Sequence, residues 1–320
     1  MYISSAMETQ RGAMQMMSDF IKRMDTIFYQ QSFDAVNEFF SSFDSDAGII
    51  EWLRKRKRSN MIISETAGEN DVIAVIPGND SGRTSDYSLN GDLFDGFRKI
   101  YSCTADGKPD FSRCINQGIK TALKYDPGWI VVSNPNTHIL GDNNELRSAL
   151  KTVDSGNNRI LIPTSSRIGS RYIRIGKRNA ISGKLNINRL ERWAMEIEQN
   201  LSSRYGDIYI AEPMDLFHRV MYRWTFNVAN ASSFIVLSGK WLKSLNGRVM
   251  DETFTSTYYG VDFSIRHARK PRNVNFIDLQ YKVKKGKVSR LSLPFDHVWD
   301  LCNRIYLTHK INNSYYSDHS

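Results

Sequence analysis

The chain has 320 residues and a formal net charge of +9. At 41% hydrophobic and 24% charged residues it reads as a globular, soluble protein with a sizeable core, which excludes a disordered or fibrous chain. No apolar run approaches the ~18 residues that cross a bilayer, and no basic-then-apolar signal segment is expected, so a cytoplasmic protein, peripheral to a membrane at most, is the expectation.

In chain order, Tyr2 to Ala6 is a short candidate strand. Ala13 to Phe28 is predicted helical, and so is 33–58, where Phe33, Val36, Phe39, Phe40 and Phe43 recur near helical spacing. That aromatic stripe reads as core or lid packing, with a base-stacking platform as the alternative. Arg54 to Arg58 is an unbroken basic run. It fits a solvated helix end, a contact with anionic lipid, or nucleic-acid contact. No nucleic-acid-binding signature accompanies it.

Val72 to Ile76 has the apolar character of a buried strand, and Pro77-Gly78 ends it. Lys99 to Cys103 is a second strand. The stretch from Asp106 to Leu140 organises the rest. A glycine loop opens an amphipathic helix with Ile115, Ile119 and Leu123 on one face, and Asp126-Pro127-Gly128 stops it. Trp129 to Val132 is apolar throughout, as in a strand covered on both faces. Asn134, Asn136 and His138 follow at alternate positions, where open α/β sheets bind ligands.

Further on, Glu145 to Val153 is predicted helical and Arg159 to Pro163 a strand. Arg167, Arg171, Arg174, Lys177 and Arg178 alternate with apolar residues, which describes either a loop over a diphosphate or an ordinary two-faced strand. Leu190 to Leu201 reads as a helix, Ile208 to Ala211 as a strand and Asp215 to Tyr222 as a helix. Asn273 to Tyr281 reads as a strand, Lys282 to Lys287 as a basic turn and Phe295 to Leu307 as an aromatic-rich helix. Cys103, Cys114 and Cys302 are odd in number and widely spaced, which suits thiols in a reducing compartment.

Two blocks carry a resemblance. In the first, Gly107, Pro109, Asn116, Gly118, Ile119, Asn134, Pro135 and Thr137 match a Gly-Pro loop, an Asn-x-Gly-Ile helix start and an apolar strand ending in Asn-Pro-Asp-Thr. In the second, Asp251, Glu252, Phe254, Val261, Asp262 and Arg266 fall in register with Gly-x-Phe-Asp-Glu-x-Phe and Glu-Asp-Val-Asp-Leu-x-x-Arg. The chain thus resembles the GT-A-fold, family-2 glycosyltransferases, the rhamnosyltransferase-like group above all.

The resemblance implies an α/β, mostly parallel nucleotide-binding sheet of GT-A type over 1–270, flanked by helices. A helical insertion would occupy about 13–60, and 271–320 would be a C-terminal extension packing on the core. It implies transfer of a sugar from a nucleotide-diphosphate donor to a hydroxyl acceptor (glycan, lipid-linked sugar or protein), with an inverting course and no nucleic-acid partner. Asp80, Lys108, Arg113, Asn116, Asn134 and Asn136 become the donor-binding candidates, with a turn aspartate as the alternative for Asp80. Asn136 stands where the family carries its metal-binding aspartate, so Asn136 and His138, with Asp142 close by, are the candidates for a weakly required or dispensable Mg²⁺ or Mn²⁺. Tyr259 and Gly260 replace the family's Glu-Asp pair, and the base falls to Asp262, Asp251 or Glu252. Two departures at carboxylates keep a second expectation open, a catalytically lapsed sugar-nucleotide-binding relative. A basic nucleic-acid-associated protein is the third, distinguishable by steep salt dependence of binding.

Overall fold

The computed structural model describes residues 15–27, 33–43, 45–78, 93–106, 108, 110–135, 137–139, 141–156, 159–163, 171–175, 208–211, 225–228, 234–263, 266–267, 274–277, 279, 281–283 and, at the C-terminus, 302–303, 305–307 and 309–310. The expected strand at 2–6, the helices at 190–201 and 215–222, Asp80 and Asn136 lie outside them. The chain divides into two compact units, Met1–Arg58 and Ser59–Ser320.

Among its described residues the first unit holds three helices, α1 over residues 15–27, α2 (Phe33–Ser41) and α3 (Asp46–Lys55). The expected single helix over 33–58 is broken, because Ser45 takes an extended conformation and starts α3 as its N-cap. Of the aromatic stripe, Phe39, Phe40 and Phe43 are core. Phe39 is fully buried and meets Phe40, Phe43 and Trp52 edge-on at 4.7–5.1 Å. Asp25 accepts from Trp52 Nε1 at 2.7 Å and from the Lys57 backbone N–H at 2.9 Å, tying α1 to the end of α3. Within the basic run Arg56 turns inward, 3% exposed, and donates to the Leu53 carbonyl, so the run is not a uniformly solvated helix end.

The second unit is built on a seven-stranded sheet. Its strands are β1 (Met61–Thr66), β2 (Glu69–Gly78), β3 (Phe97–Thr104), β4 (Trp129–Ser133), β6 (Ile160–Pro163), β10 (Phe234–Ser238) and β11 (Val274–Ile277). They lie in the order β1-β3-β2-β4-β10-β6-β11. Strands β2, β3 and β4 are parallel neighbours, as are β6 and β11. β1 and β10 run against them, so the sheet is mixed. A ribbon pairs β5 (Thr137–Ile139) with β12 (Tyr281–Val283). A small sheet forms from β7 (Arg171–Ile175), β8 (Ile208–Ala211) and β9 (Thr225–Val228), with β7 in the middle. The arginine-rich stretch therefore contains a strand, β7. The strand expected over Asn273 to Tyr281 is divided between β11 and β12, and Lys282, expected in a turn, pairs with His138 in the ribbon.

The alternation of β2 explains the layering. The opposite faces of the strand carry different helices. Over Val75 lies α4 (Phe111–Ala122), and Gly118 permits that approach, since a Cβ there would stand 2.4 Å from Val75 Cγ1. On the other side Val72, Ala74 and Ile76 pack with Leu146 and Leu150 of α5 (Asn143–Lys151). Asp126 ends the first helical stretch in the left-handed region, φ 53°, before Pro127 and Gly128 lead into β4. All of β4 and β10 is buried, as an apolar run in mid-sheet requires. β10 runs directly into α6 (Gly239–Ser244), whose N-cap Ser238 accepts from the Trp241 N–H at 3.3 Å. Cys103, Cys114 and Cys302 are buried thiols outside any disulfide. Among the described residues no helix is long and apolar enough to cross a membrane.

Candidate functional site

Strands β3, β2 and β4 end side by side at Thr104, Gly78 and Ser133, and β10 enters opposite, with Phe234 facing Ser133. This carboxyl edge is where a doubly wound sheet presents its loops to a ligand. Asn134, half-buried, and Pro135, buried, follow directly from β4. His138 is placed in β5 by its backbone. Asp142 caps α5 reciprocally: its carboxylate accepts from the Glu145 N–H at 2.9 Å, and the Glu145 carboxylate accepts from the Asp142 N–H at 3.2 Å. That duty explains its acidity without a metal. Among the described residues no three His, Cys, Asp or Glu side chains converge on a cation-sized point.

Beyond β3, Lys108 places its ammonium 3.3 Å from Asp106, and its carbonyl accepts from the Thr104 hydroxyl at 2.7 Å. Burial works against the Asp106 anion, but hydrogen bonds from Ser59 and Lys108 and the ammonium charge outweigh it and lower the carboxyl's pKa. Arg113, on α4, donates to the Ser59 carbonyl at 2.6 Å. Cys114 donates weakly to the Gly78 carbonyl at 3.6 Å, and burial, with Asp110 and Cys103 nearby, pushes its thiol up to about 12. It is no nucleophile near neutral pH.

The two blocks meet at Asn116. Its side-chain oxygen accepts from the N–H groups of Val249 and Met250 at 3.1 and 2.9 Å. Its amide donates to the Met250 carbonyl at 2.9 Å and to Glu252 Oε1 at 3.0 Å. Asn116 is 3% exposed and thus holds a turn of backbone. The N–H of Phe111, an orphan donor of the first helical turn, is taken by the Thr255 carbonyl at 2.9 Å.

Asp262, buried, and Asp251, half-buried, form a charge cluster in the second block. Asp262 belongs to α7 (Tyr259–Phe263) and is fully buried. It accepts from Arg266 Nε at 2.7 Å and from Lys310, and Arg266 also reaches the Val249 carbonyl at 2.9 Å. Asp251 accepts from the Thr253 N–H, the Tyr306 hydroxyl and Lys310, each at 2.9 Å. Burial opposes the Asp251 anion, yet the Lys310 charge and these hydrogen bonds prevail and hold its carboxyl down at about 2. Tyr259, at the start of α7, is buried, and desolvation, with Cys114 nearby, raises its hydroxyl pKa.

A depressed carboxyl stabilises the fold above its unfolded pKa, near 3.9, and that contribution disappears as pH falls through the folded value. Asp251 is expected to contribute about 2 kcal/mol at pH 6, lost between about pH 4 and pH 2. Urea midpoints of the wild type and of Asp251→Asn should therefore converge on acidification. A gap that stays constant from pH 6 to pH 2 would contradict the assignment.

The structure thus gathers Asn116, Asp251, Glu252 and Asp262 into one cluster, with Lys108 and Arg113 on either side of the α4 N-terminus. Lys310, Tyr306 and Asn303 are not among the residues that the sequence singles out. Their spacing of three and four is the available signal, but the predicted helix stops at Leu307, short of Lys310.

Neither a protein-family model nor a curated protein sequence matches the chain. Among solved structures it is similar to the crystal structure of mannose-1-phosphate geranyltransferase from Thermus thermophilus, with a TM-score of 0.29 and 14% sequence identity. That likeness covers 66% of this chain and 60% of the other, so the chain spans less than two thirds of its neighbour's length. At that level the two share neither a demonstrated fold nor a demonstrated chemistry.

Proposed function

We propose that the chain transfers a sugar from a nucleotide-diphosphate donor to a hydroxyl acceptor, with an inverting course. The observation that carries this reading is the Asn116 clamp. It joins α4 of the first block to residues 249–252 at the start of the second, while β4 of the first block pairs along its length with β10, the strand ahead of the second. Residues matched at two distant places in the sequence are thereby neighbours at one edge of the sheet.

In this reading Asp80, Asn134 and Asn136 bind the donor. Lys108 and Arg113 place cations near the departing diphosphate, where fixed positive charge lowers the barrier. Asn116 acts by holding the loop. Glu252 is the acid best suited to take the acceptor's proton, because its hydrogen-bond partner is a neutral amide, whereas Asp251 and Asp262 answer cations. Asn136 and His138 would hold any Mg²⁺ or Mn²⁺, which would add charge to stabilise the leaving diphosphate. That donor pair is neutral, so the dependence is expected to be weak.

A second reading, a sugar-nucleotide-binding protein without turnover, is favoured by the occupation of Asp251 and Asp262 by Lys310 and Arg266. A thermal-shift panel of UDP-, GDP- and TDP-sugars, with and without Mn²⁺, together with a donor-hydrolysis assay, separates the two. The first reading expects stabilisation by at least one donor, of about 2.7 kcal/mol at a hundred times Kd, plus slow hydrolysis. Asn136→Ala should lose that stabilisation. Binding without hydrolysis selects the second reading, and no response across the panel removes both.

A further inference from the structure

We propose that the helical face formed by Asn303, Tyr306 and Lys310 is a strap that locks residues 249–263, so that this segment opens locally, ahead of the sheet, when the strap lets go. The inference takes its segment from the proposed site but uses none of its chemistry.

Residues 245–258 contain no regular helix or strand, yet Val249, Met250, Phe254 and Thr255 are buried. Buried backbone groups without a ladder must find partners in turns or side chains. Here they do. Asn116 serves Val249 and Met250, Asp251 serves the Thr253 N–H, and Arg266 serves the Val249 carbonyl. Past residue 253 the backbone supplies some bonds, Phe254 N–H to the Asp251 carbonyl at 3.2 Å and Phe111 N–H to the Thr255 carbonyl at 2.9 Å, and side-chain partners come from the C-terminal residues. Asn303 Oδ1 accepts from the Thr255 N–H at 3.2 Å, and its amide donates to the hydroxyls of Thr255 and Thr257 at 2.9 and 3.1 Å. Tyr306 bonds Asp251 and tilts its ring against buried Phe254 at 4.9 Å. Lys310, 6% exposed, is shared between Asp251 and Asp262 and lies 5.6 Å from the rings of both Phe254 and Tyr306.

Spacings of three and four put these side chains on one helical face. That face supplies the cation between the buried carboxylate of Asp262 and the half-buried one of Asp251, and the partner of a buried N–H. A segment held by side chains and not by a ladder belongs to the low-stability end of a structure. Its opening therefore depends on the strap far more than β2 or β4 does.

Hydrogen exchange on the full chain without ligand tests this. In Lys310→Met the amides of 249–263, including those of Phe254, Thr255 and Asp262, should exchange roughly tenfold faster or more. Tyr306→Phe should show a smaller, few-fold acceleration there, and Lys310→Arg should restore part of the protection. Amides of β2 and β4 should be unchanged. If Lys310→Met does not fold, Tyr306→Phe is judged by the same comparison. Unchanged exchange at 249–263, or equal acceleration in 249–263 and in β2 and β4, overturns the strap. No donor is present in any arm, so a failed sugar-nucleotide panel leaves this result readable.

Discussion

Asp262→Ala is expected to destabilise the protein by about 3–5 kcal/mol, the range for breaking a buried ion pair by removing one partner. The side chain is fully buried and balances Lys310, itself 6% exposed, and Arg266. Without it Lys310 loses one of its two carboxylate partners, and the Arg266 Nε–H loses its acceptor. Asp262→Asn keeps the shape and one acceptor oxygen but not the charge, so it should cost less than alanine and still more than a surface change. Urea denaturation of the three proteins at pH 7 measures this. The outcome also bears on chemistry. An aspartate serving only as a base would lose turnover on Asn substitution and keep its midpoint, whereas a member of the charge cluster loses stability first. A midpoint for Asp262→Asn equal to the wild type would contradict the structural role.

Asn116→Ala is the second large effect, about 3–5 kcal/mol. Each buried backbone group left without a partner costs about 1–3 kcal/mol, and alanine would orphan the N–H groups of Val249 and Met250 and the Met250 carbonyl. Local relaxation that admits water sets the lower end. Asn116→Asp tests the pattern: it keeps the acceptor for both N–H groups but loses the donor, and places a carboxylate beside Glu252. Its loss should be comparable to that of alanine near neutral pH. The readout is the urea midpoint, with the donor response as a second axis. Because the clamp joins the two blocks, both variants should also weaken any sugar-nucleotide stabilisation measured below their melting range. Retention of full stability in Asn116→Ala would show that 249–252 is held by something else.

Much of the sheet is legible in the sequence because burial leaves a plain signature. The unbroken apolar run of β4 has neighbours on both edges, β2 and β10, and packed layers above and below, so every residue in it is apolar as far as Val132. Helix α4 is legible from Ile115 and Ile119 and from its Asp126-Pro127-Gly128 stop. Strand β1 is not, because it lies at the sheet edge with Ile62, Ser64 and Glu65 exposed, and its pattern is set by pairing with β3 and not by burial. For the same reason β2 begins at Glu69, ahead of its apolar part.

The site is legible in its residue types and not in its bonding. Asn116 and Glu252 stand out as matched positions, but that one touches the other follows only from the return of the chain 136 residues later. Lys310 is illegible for a related reason. It stands four residues from Tyr306, but that spacing does not reveal its two carboxylates, which lie 48 and 59 residues away. Asp142 looks like a metal candidate by proximity to His138 and is a helix cap, a role carried by its reciprocal bond with Glu145.

The most direct measurement of the central claim is a hydrogen-exchange footprint of the full chain with and without the stabilising sugar nucleotide. A donor held where the two blocks meet should slow exchange in residues 133–139 and 249–255 together, leaving β1 and the helices of 15–55 unaffected. Protection confined to one block, or falling elsewhere in the chain, would contradict a single donor site at the carboxyl edge of β4.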